Sequence, residues 1–139
     1  MVTESNPRKT GQISVEMSLL TAIMVSVLLV MLLANELLKS SWEEQRERMM
    51  ASSAANRVAF AINQAVAGGD GTAIAFTNNV GQDVVGISIY DNRSVRAHYL
   101  LGGFSSVPIV TSRLGSYAVP INSEVVVRNV GGQIFIEAG

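Results

Sequence analysis

The feature that most constrains this chain is an uninterrupted apolar stretch that runs from Met17 to Ala34. The stretch contains no charged residue, no proline and no glycine, and its weakly polar members are Ser18, Thr21 and Ser26. About 20 consecutive apolar residues span the hydrocarbon core of a bilayer as an α-helix, which satisfies its own backbone hydrogen bonds. We therefore predict that this segment forms a membrane-inserted helix.

Charged residues on either side of the stretch predict its orientation. Arg8 and Lys9 precede it, and Glu36 is the first charged residue after it. Cytoplasmic flanks of membrane helices carry an excess of lysine and arginine, which places the N-terminus in the cytoplasm and the remainder outside. A secretory signal peptide would have a shorter apolar region and then a small-residue cleavage site. No such site follows Ala34, so we expect the apolar helix to be retained.

The helical pattern continues beyond the apolar stretch. Asn35 to Ala67 contains neither glycine nor proline, and apolar residues recur there at spacings of three and four, as on one face of a helix. The glycines of the segment 68–71 are typical of a helix end. The apolar first half of so long a helix needs either lipid or copies of itself to cover it. The stripe on the second half consists of Met50, Ala54, Val58, Ala61 or Ile62, and Ala65.

After Asp70 the spacing of apolar residues changes to two, which is typical of β-strands. Turns are predicted at residues 91–93 and 129–132, and a short strand is predicted near residues 107–110 within the loop 102–120. We predict one antiparallel sheet of roughly four to six strands, whose apolar face the helical stripe covers. The alternating residues are Ile74 and Phe76; Val85, Ile87 and Ile89; Val95, Ala97, Tyr99 and Leu101; Val125 and Val127; and Ile134, Ile136 and Ala138.

The predicted fold class is therefore α+β. A long N-terminal helix, apolar in its first half, packs through its C-terminal half on a small antiparallel β domain. A run of charged residues, 43–48, lies between the two halves. Within it Glu44 and Arg48 are spaced to pair, and Glu43 can reach Arg46. This run is either a solvated helix face or a set of partners for a neighbouring subunit, and Trp42 is either an anchor at the lipid interface or a packing residue between subunits.

Composition excludes several functional classes. The chain has 139 residues, no cysteine, one histidine and a net charge of −1, so it has neither a disulfide framework nor a basic patch for nucleic acid. His98 lies on the polar face of a predicted strand, with no acidic partner in a recognised motif. No glycine pattern for nucleotide phosphates is present. We expect a protein that is not an enzyme, with no cofactor, no metal and no nucleic-acid partner.

A short motif in front of the apolar stretch carries a resemblance to a known family. Lys9, Thr10 and Gly11 are followed by Gln12, Ser14, Glu16 and Leu20 in the pattern Q-x-S-x-E-x-x-x-L. This pattern, behind a basic leader and before an apolar helix, resembles the class III signal of archaeal type IV pilin precursors. The resemblance implies a type IV pilin-like fold and cleavage by a prepilin peptidase between Gly11 and Gln12.

The resemblance also implies a division of the chain and a set of partners. Residues 1–11 would be the removed leader, residues 12–67 the long helix with 13–34 as transmembrane segment and filament core, and residues 68–139 the β-rich head. The partners would be the peptidase, the cytoplasmic membrane before assembly, a pilus assembly ATPase, a membrane platform protein and further copies of the chain. The precursor would lie in the membrane, and the product in a filament at the cell surface.

Two residues receive a specific role in this interpretation. Glu16 would be the fifth residue of the cut chain, where it would pair with the new α-amine of a neighbour and fix the stagger between helices. The alternative is an acid favoured by the dipole at the start of a helix, in the lipid headgroup region. Asn92 begins the sequence Asn-Arg-Ser in a predicted turn and is a candidate for N-glycosylation.

The expected function is that of a structural subunit of an adhesive pilus that polymerises through its N-terminal helix. Three alternatives stay open. The chain could be a minor pilin-like component of a secretion or solute-binding apparatus, a subunit of an archaellum-like filament, or a membrane-anchored binding domain that is never cut. Abundance in purified filaments separates the first of these from a major pilin.

Overall fold

The computed structural model describes residues 7–111, 113–115 and 118–139, with side chains from Ser14 onward. Residues 1–6 of the predicted leader lie outside the described residues, as does the side chain of Gln12. The chain divides into two compact units, of which the first ends at Trp42 and the second comprises Glu43–Gly139.

A single α-helix, α1, runs from Pro7 to Gly68. Its length follows from the sequence, since neither glycine nor proline occurs between Gln12 and Ala67. The helix ends where Gly69 adopts a left-handed backbone conformation with φ of 78°, and the Gly69 N–H donates a hydrogen bond to the Val66 carbonyl over 3.2 Å.

The β-strands of the second unit form two sheets, where the sequence predicted one. In the first, three-stranded sheet the order is β1-β6-β7, and in the second, four-stranded sheet it is β4-β3-β2-β5. All neighbouring strands are antiparallel. The strands are β1 (Ala73–Asn78), β2 (Val84–Tyr90), β3 (Ser94–Tyr99), β4 (Phe104–Pro108), β5 (Ala118–Val119), β6 (Ser123–Val130) and β7 (Gln133–Ala138).

The hydrophobic core lies between the second half of α1 and both sheets. The predicted helical stripe is buried from Ala54 to Ala65, whereas Met50 at its beginning remains 36% exposed. Small side chains dominate the buried helix face, so the helix backbone can approach the sheets closely. The α+β fold class is thereby confirmed. Completely buried core residues include Ala51, Ala54, Ala55, Val58, Ile62, Ala65, Val95, Ala97, Val125, Val127 and Ile134.

The alternation predicted for β2 is wrong at its beginning. The pairing of β2 with β3 shifts between Val84 and Gly86, so that one extra residue is accommodated there. As a result Val84 is buried, while Val85 is 59% exposed and Ile87 is buried again. A bulge of this kind changes which side chains face the core without changing the strand assignment.

Two further expectations need correction. The short strand in the loop after β3 begins at Phe104 and ends at Pro108, ahead of the predicted position. Leu101 does not continue the alternation of β3, because the strand ends at Tyr99 and the Gly102 N–H closes a turn onto the Tyr99 carbonyl. Leu101 is consequently 60% exposed.

Candidate assembly surface

The first unit presents a continuous apolar surface to its surroundings. Every residue from Ser14 to Arg46 is exposed, and the large apolar side chains range from 52% exposed at Val27 to 72% at Leu37. We call residues 14–38 the apolar segment. Soluble monomeric proteins rarely expose contiguous apolar patches of more than a few hundred Å². The apolar segment therefore requires a covering of lipid or protein.

Two of the hydroxyl groups within the apolar segment are satisfied by the helix itself. The Thr21 hydroxyl donates to the Met17 carbonyl over 2.8 Å, and the Ser26 hydroxyl donates to the Ala22 carbonyl over 2.8 Å. A hydroxyl that bonds to the carbonyl one turn earlier needs no external partner. These two polar side chains are consequently compatible with an apolar environment.

By length and composition, α1 qualifies as a membrane-crossing helix. Its most apolar window has a mean hydropathy of 2.6, and none of that window is buried. A signal sequence near an N-terminus meets the same criterion. The prediction of an apolar helix suited to a membrane is therefore supported by length and composition.

The structure places the signal-motif residues along one stretch of helix. Gly11 and Gln12 lie within the helical backbone of α1, so the predicted cleavage site is inside a helical segment. Ser14, Glu16 and Leu20 are all exposed. Glu16 and Leu20 are four residues apart and therefore lie on the same face of the helix. The carboxylate of Glu16 is thus presented on the surface of the apolar segment.

The charged residues within 43–48, at the start of the second unit, differ in their partners and in their burial. The predicted pair of Glu44 and Arg48 is present, with a distance of 3.3 Å between Arg48 Nη2 and Glu44 Oε1. Arg46 instead lies beside Asp83, with 3.7 Å between Nη2 and Oδ2. Glu47 is 9% exposed and accepts a hydrogen bond of 3.0 Å from the Leu101 N–H. The interpretation as a solvated face is therefore wrong for Glu47.

Polar side chains that sequence reasoning missed connect α1 to β6 and to the loops that follow β1 and β4. Asn129 Nδ2 donates to the Ala65 carbonyl over 3.1 Å, and Asn63 Oδ1 accepts from the Val110 N–H over 3.0 Å. Arg57 Nη2 donates to the Asn79 carbonyl over 3.1 Å. The sequence contained one signal for these contacts, because an asparagine within the valine-rich run of β6 is unusual for a strand.

Asn92 lies where the candidate glycosylation site was predicted. Asp91 and Asn92 both have positive φ, of 50° and 53°, and the Arg93 N–H donates to the Tyr90 carbonyl over 3.1 Å. This is the geometry of a tight hairpin turn, which asparagine and aspartate tolerate better than most residues. Asn92 is half-buried there, between β2 and β3.

Within the part of the chain that the structure describes, no three histidine or acidic side chains are grouped so that they could hold a metal ion. Compared with protein-family models, with curated proteins and with solved structures, the chain matches none of them. The geometry of this chain and the resemblance of its signal motif are therefore the two indications of its function.

Proposed function

We propose that this chain is the structural subunit of an archaeal type IV-like adhesive pilus, which polymerises through its apolar segment. The observation that carries the proposal is a contrast between the two units. The second unit buries its own apolar core, with Val58, Ile62 and Ile134 completely inaccessible. The apolar segment buries none of its large side chains. A fold that closes its own core and exposes an apolar helix is suited to insertion and then to assembly.

In this proposal the apolar segment is covered first by lipid and later by other copies of the chain. Lipid covers it first, since the helix meets the length and hydropathy needed to cross a bilayer. In the filament, apolar segments of other copies replace the lipid. Lipid tails are as apolar as leucine side chains, so the gain comes from close packing and dispersion rather than from the hydrophobic effect.

Cleavage between Gly11 and Gln12 would prepare the subunit for that exchange. It removes the basic leader with Arg8 and Lys9 and creates an α-amine at Gln12. In a bundle of apolar helices the Glu16 carboxylate is costly unless a cation lies beside it. The α-amine of a neighbour supplies that cation at one axial offset, so the pair selects a stagger between subunits. The prepilin peptidase, assembly ATPase and platform protein are the partners of these steps.

A second candidate is an unprocessed protein whose β unit is held at the membrane by α1. The same apolar window favours it, because a retained anchor needs no copies of itself. A minor pilin-like component and an archaellum-like subunit share the polymerising mechanism and differ in abundance and in the filament they enter.

Mass spectrometry of filaments sheared from cells tests the proposal. We expect the sheared fraction to contain an abundant chain that begins at Gln12, and the same spectra report any glycan on Asn92. A trace amount of the cut chain would indicate a minor component. A chain that keeps residues 1–11 and remains in the membrane fraction would overturn the pilin proposal and favour the anchored domain.

A further inference from the structure

The outer side of the four-stranded sheet carries a defined group of side chains. On β3 the residues Val95, Ala97 and Tyr99 face the core, so Arg96 and its alternate neighbours face outward. We call this group the Arg96 face. It consists of Ser88 and Tyr90 on β2, Ser94, Arg96 and His98 on β3, and Phe104 and Ser106 on β4.

Strand register puts Arg96 at the centre of this face. Its direct partners across the sheet are Ser88 on β2 and Ser106 on β4. Phe104 lies opposite His98, and their ring centroids are 6.0 Å apart. Arg96 therefore has a serine beside it on each neighbouring strand. The aromatic residues Tyr90 and Phe104 occupy diagonal positions on those two strands.

Two aromatic rings hold the Arg96 guanidinium in place. Its Cζ lies 3.4 Å from the centroid of the Tyr90 ring and 4.6 Å from that of Phe104. The rings are themselves 47% and 50% exposed. Cation–π contacts of this kind stabilise a charge and fix a long side chain. Because the guanidinium already contacts both rings in the free protein, binding to it would cost little further loss of side-chain freedom.

The positive charge of Arg96 is not neutralised within the described part of the chain. The ion pairs found there involve Arg46, Arg48 and Arg128, and Arg96 takes part in none of them. Its Nε atom is buried and has no hydrogen-bond partner among the described residues. Because this Nε is inaccessible, an external anion would bind the terminal Nη groups of the half-buried side chain, whose planar donors suit a carboxylate best.

We propose that the Arg96 face binds an acidic polysaccharide, with Arg96 holding a uronate carboxylate. This inference rests on the adhesive part of the proposed function and names the chemistry of its target. The serine hydroxyls beside Arg96 suit the hydroxyl groups of a sugar chain, and the exposed ring edges of Tyr90 and Phe104 offer apolar contact. Nucleic acid fits less well, because its binding requires many phosphate contacts, and the chain has a net charge of −1.

The test uses the full-length chain in detergent micelles, with binding of polygalacturonate measured by isothermal titration calorimetry. Neutral dextran is the ligand control. We compare Arg96→Gln with Arg128→Gln, which removes the same charge from an exposed arginine on the other sheet. We expect Arg96→Gln to weaken polygalacturonate binding by roughly tenfold or more, and Arg128→Gln to change it less than about twofold.

Arg96→Lys keeps the experiment decisive if Arg96→Gln does not fold, as judged by its thermal unfolding. Lysine keeps the charge but lacks the planar donors, so we expect an intermediate loss. Equal losses in both glutamine variants, equal binding of dextran, or equal binding of a DNA duplex would each overturn the proposal. A substitution of Arg96 that changes the oligomer size and leaves polysaccharide binding unchanged would also overturn the proposal.

The result is separable from the test of polymerisation. Binding is measured on dispersed chains, so a chain that never forms filaments can still bind the polysaccharide. Arg96→Gln should in turn leave the yield of sheared filaments unchanged. A loss of filaments in this variant, with polysaccharide binding unchanged, would assign the Arg96 face to contacts between subunits and overturn its role in binding.

Discussion

The side-chain amide of Asn129 donates a hydrogen bond to the backbone carbonyl of Ala65 over 3.1 Å, which joins β6 to the last turn of α1. Carbonyls in the last turn of a helix have no partner inside the helix. Asn129 is 4% exposed, and its Oδ1 also accepts from the Gly132 N–H over 3.1 Å. One side chain thus satisfies the end of the helix and the hairpin between β6 and β7.

Replacing Asn129 by alanine should therefore be costly. Two backbone groups lose their partners in a largely buried place, so we expect the free energy of unfolding to fall by about 2–3 kcal/mol. Asn56→Ala is the matched control, because Asn56 is exposed and bonds to Ser52 within the helix; we expect a change of less than about 0.5 kcal/mol. Denaturant unfolding of both variants in micelles measures the difference, and equal losses would contradict this assignment.

The charged run offers a second pair of contrasting substitutions. Glu47→Ala removes a buried acceptor from the Leu101 N–H and should cost about 1–2 kcal/mol of stability. Arg46→Ala breaks an ion pair whose arginine side chain is 67% exposed, and should cost less than about 0.5 kcal/mol. Glu47→Gln keeps an acceptor oxygen and should retain most of the stability. Thermal melts compare the three, and a larger loss for Arg46→Ala would refute the ranking.

Glycine substitutions should separate a crowded position from an open one. A Cβ built on Gly103 overlaps the ring of Tyr99, which is 8% exposed and held by the core. We expect Gly103→Ala to destabilise the fold by about 1–3 kcal/mol, because the ring must move. A Cβ on Gly86 meets nothing within 4 Å, so Gly86→Ala should be neutral or stabilise by up to about 1 kcal/mol. Circular dichroism melts distinguish the two, and similar melting temperatures would show that the ring relaxes freely.

Removal of the Glu16 carboxylate should affect assembly and not insertion. We expect Glu16→Ala to reduce sheared filaments by roughly tenfold or more, since pairing of a buried charge is worth several kcal/mol. Its membrane-associated precursor should be unchanged in amount. Glu36→Ala, at the other end of the apolar segment, is the control and should assemble normally. Immunoblots of membrane and filament fractions measure both, and a normal filament yield from Glu16→Ala would remove the role in setting the stagger.

Local periodicity predicted α1 and five of the strands, β1, β2, β3, β6 and β7, whereas it misplaced β4 and missed the two-residue strand β5. The change from a spacing of three or four to a spacing of two, after Asp70, separates α1 from the strands. The turn at Asp91 and Asn92 was also readable, because these residues tolerate positive φ. The class of the fold follows from these local signals and from the need to cover one apolar sheet face.

The pairing of strands that are distant in the sequence could not be predicted from local periodicity. β1 pairs with β6, so that Ala73 lies opposite Arg128, and nothing in either run of residues specifies that partner. The division into two sheets follows from this pairing. Glu47 and Asn129 were missed for a related reason, since burial of a polar residue depends on a distant backbone group that it satisfies. The roles of Gln12, Glu16 and Asn92 remain predictions.

The internal hydrogen bonds of Thr21 and Ser26 have a consequence for the life cycle of the proposed subunit. Their hydroxyls are bonded to the Met17 and Ala22 carbonyls before any neighbour arrives. Moving the helix between bilayer and polymer therefore breaks neither of these two bonds. These two hydroxyls therefore add no desolvation cost in either direction of the transfer, so the proposed exchange of lipid for protein is decided by helix packing and by the charge of Glu16.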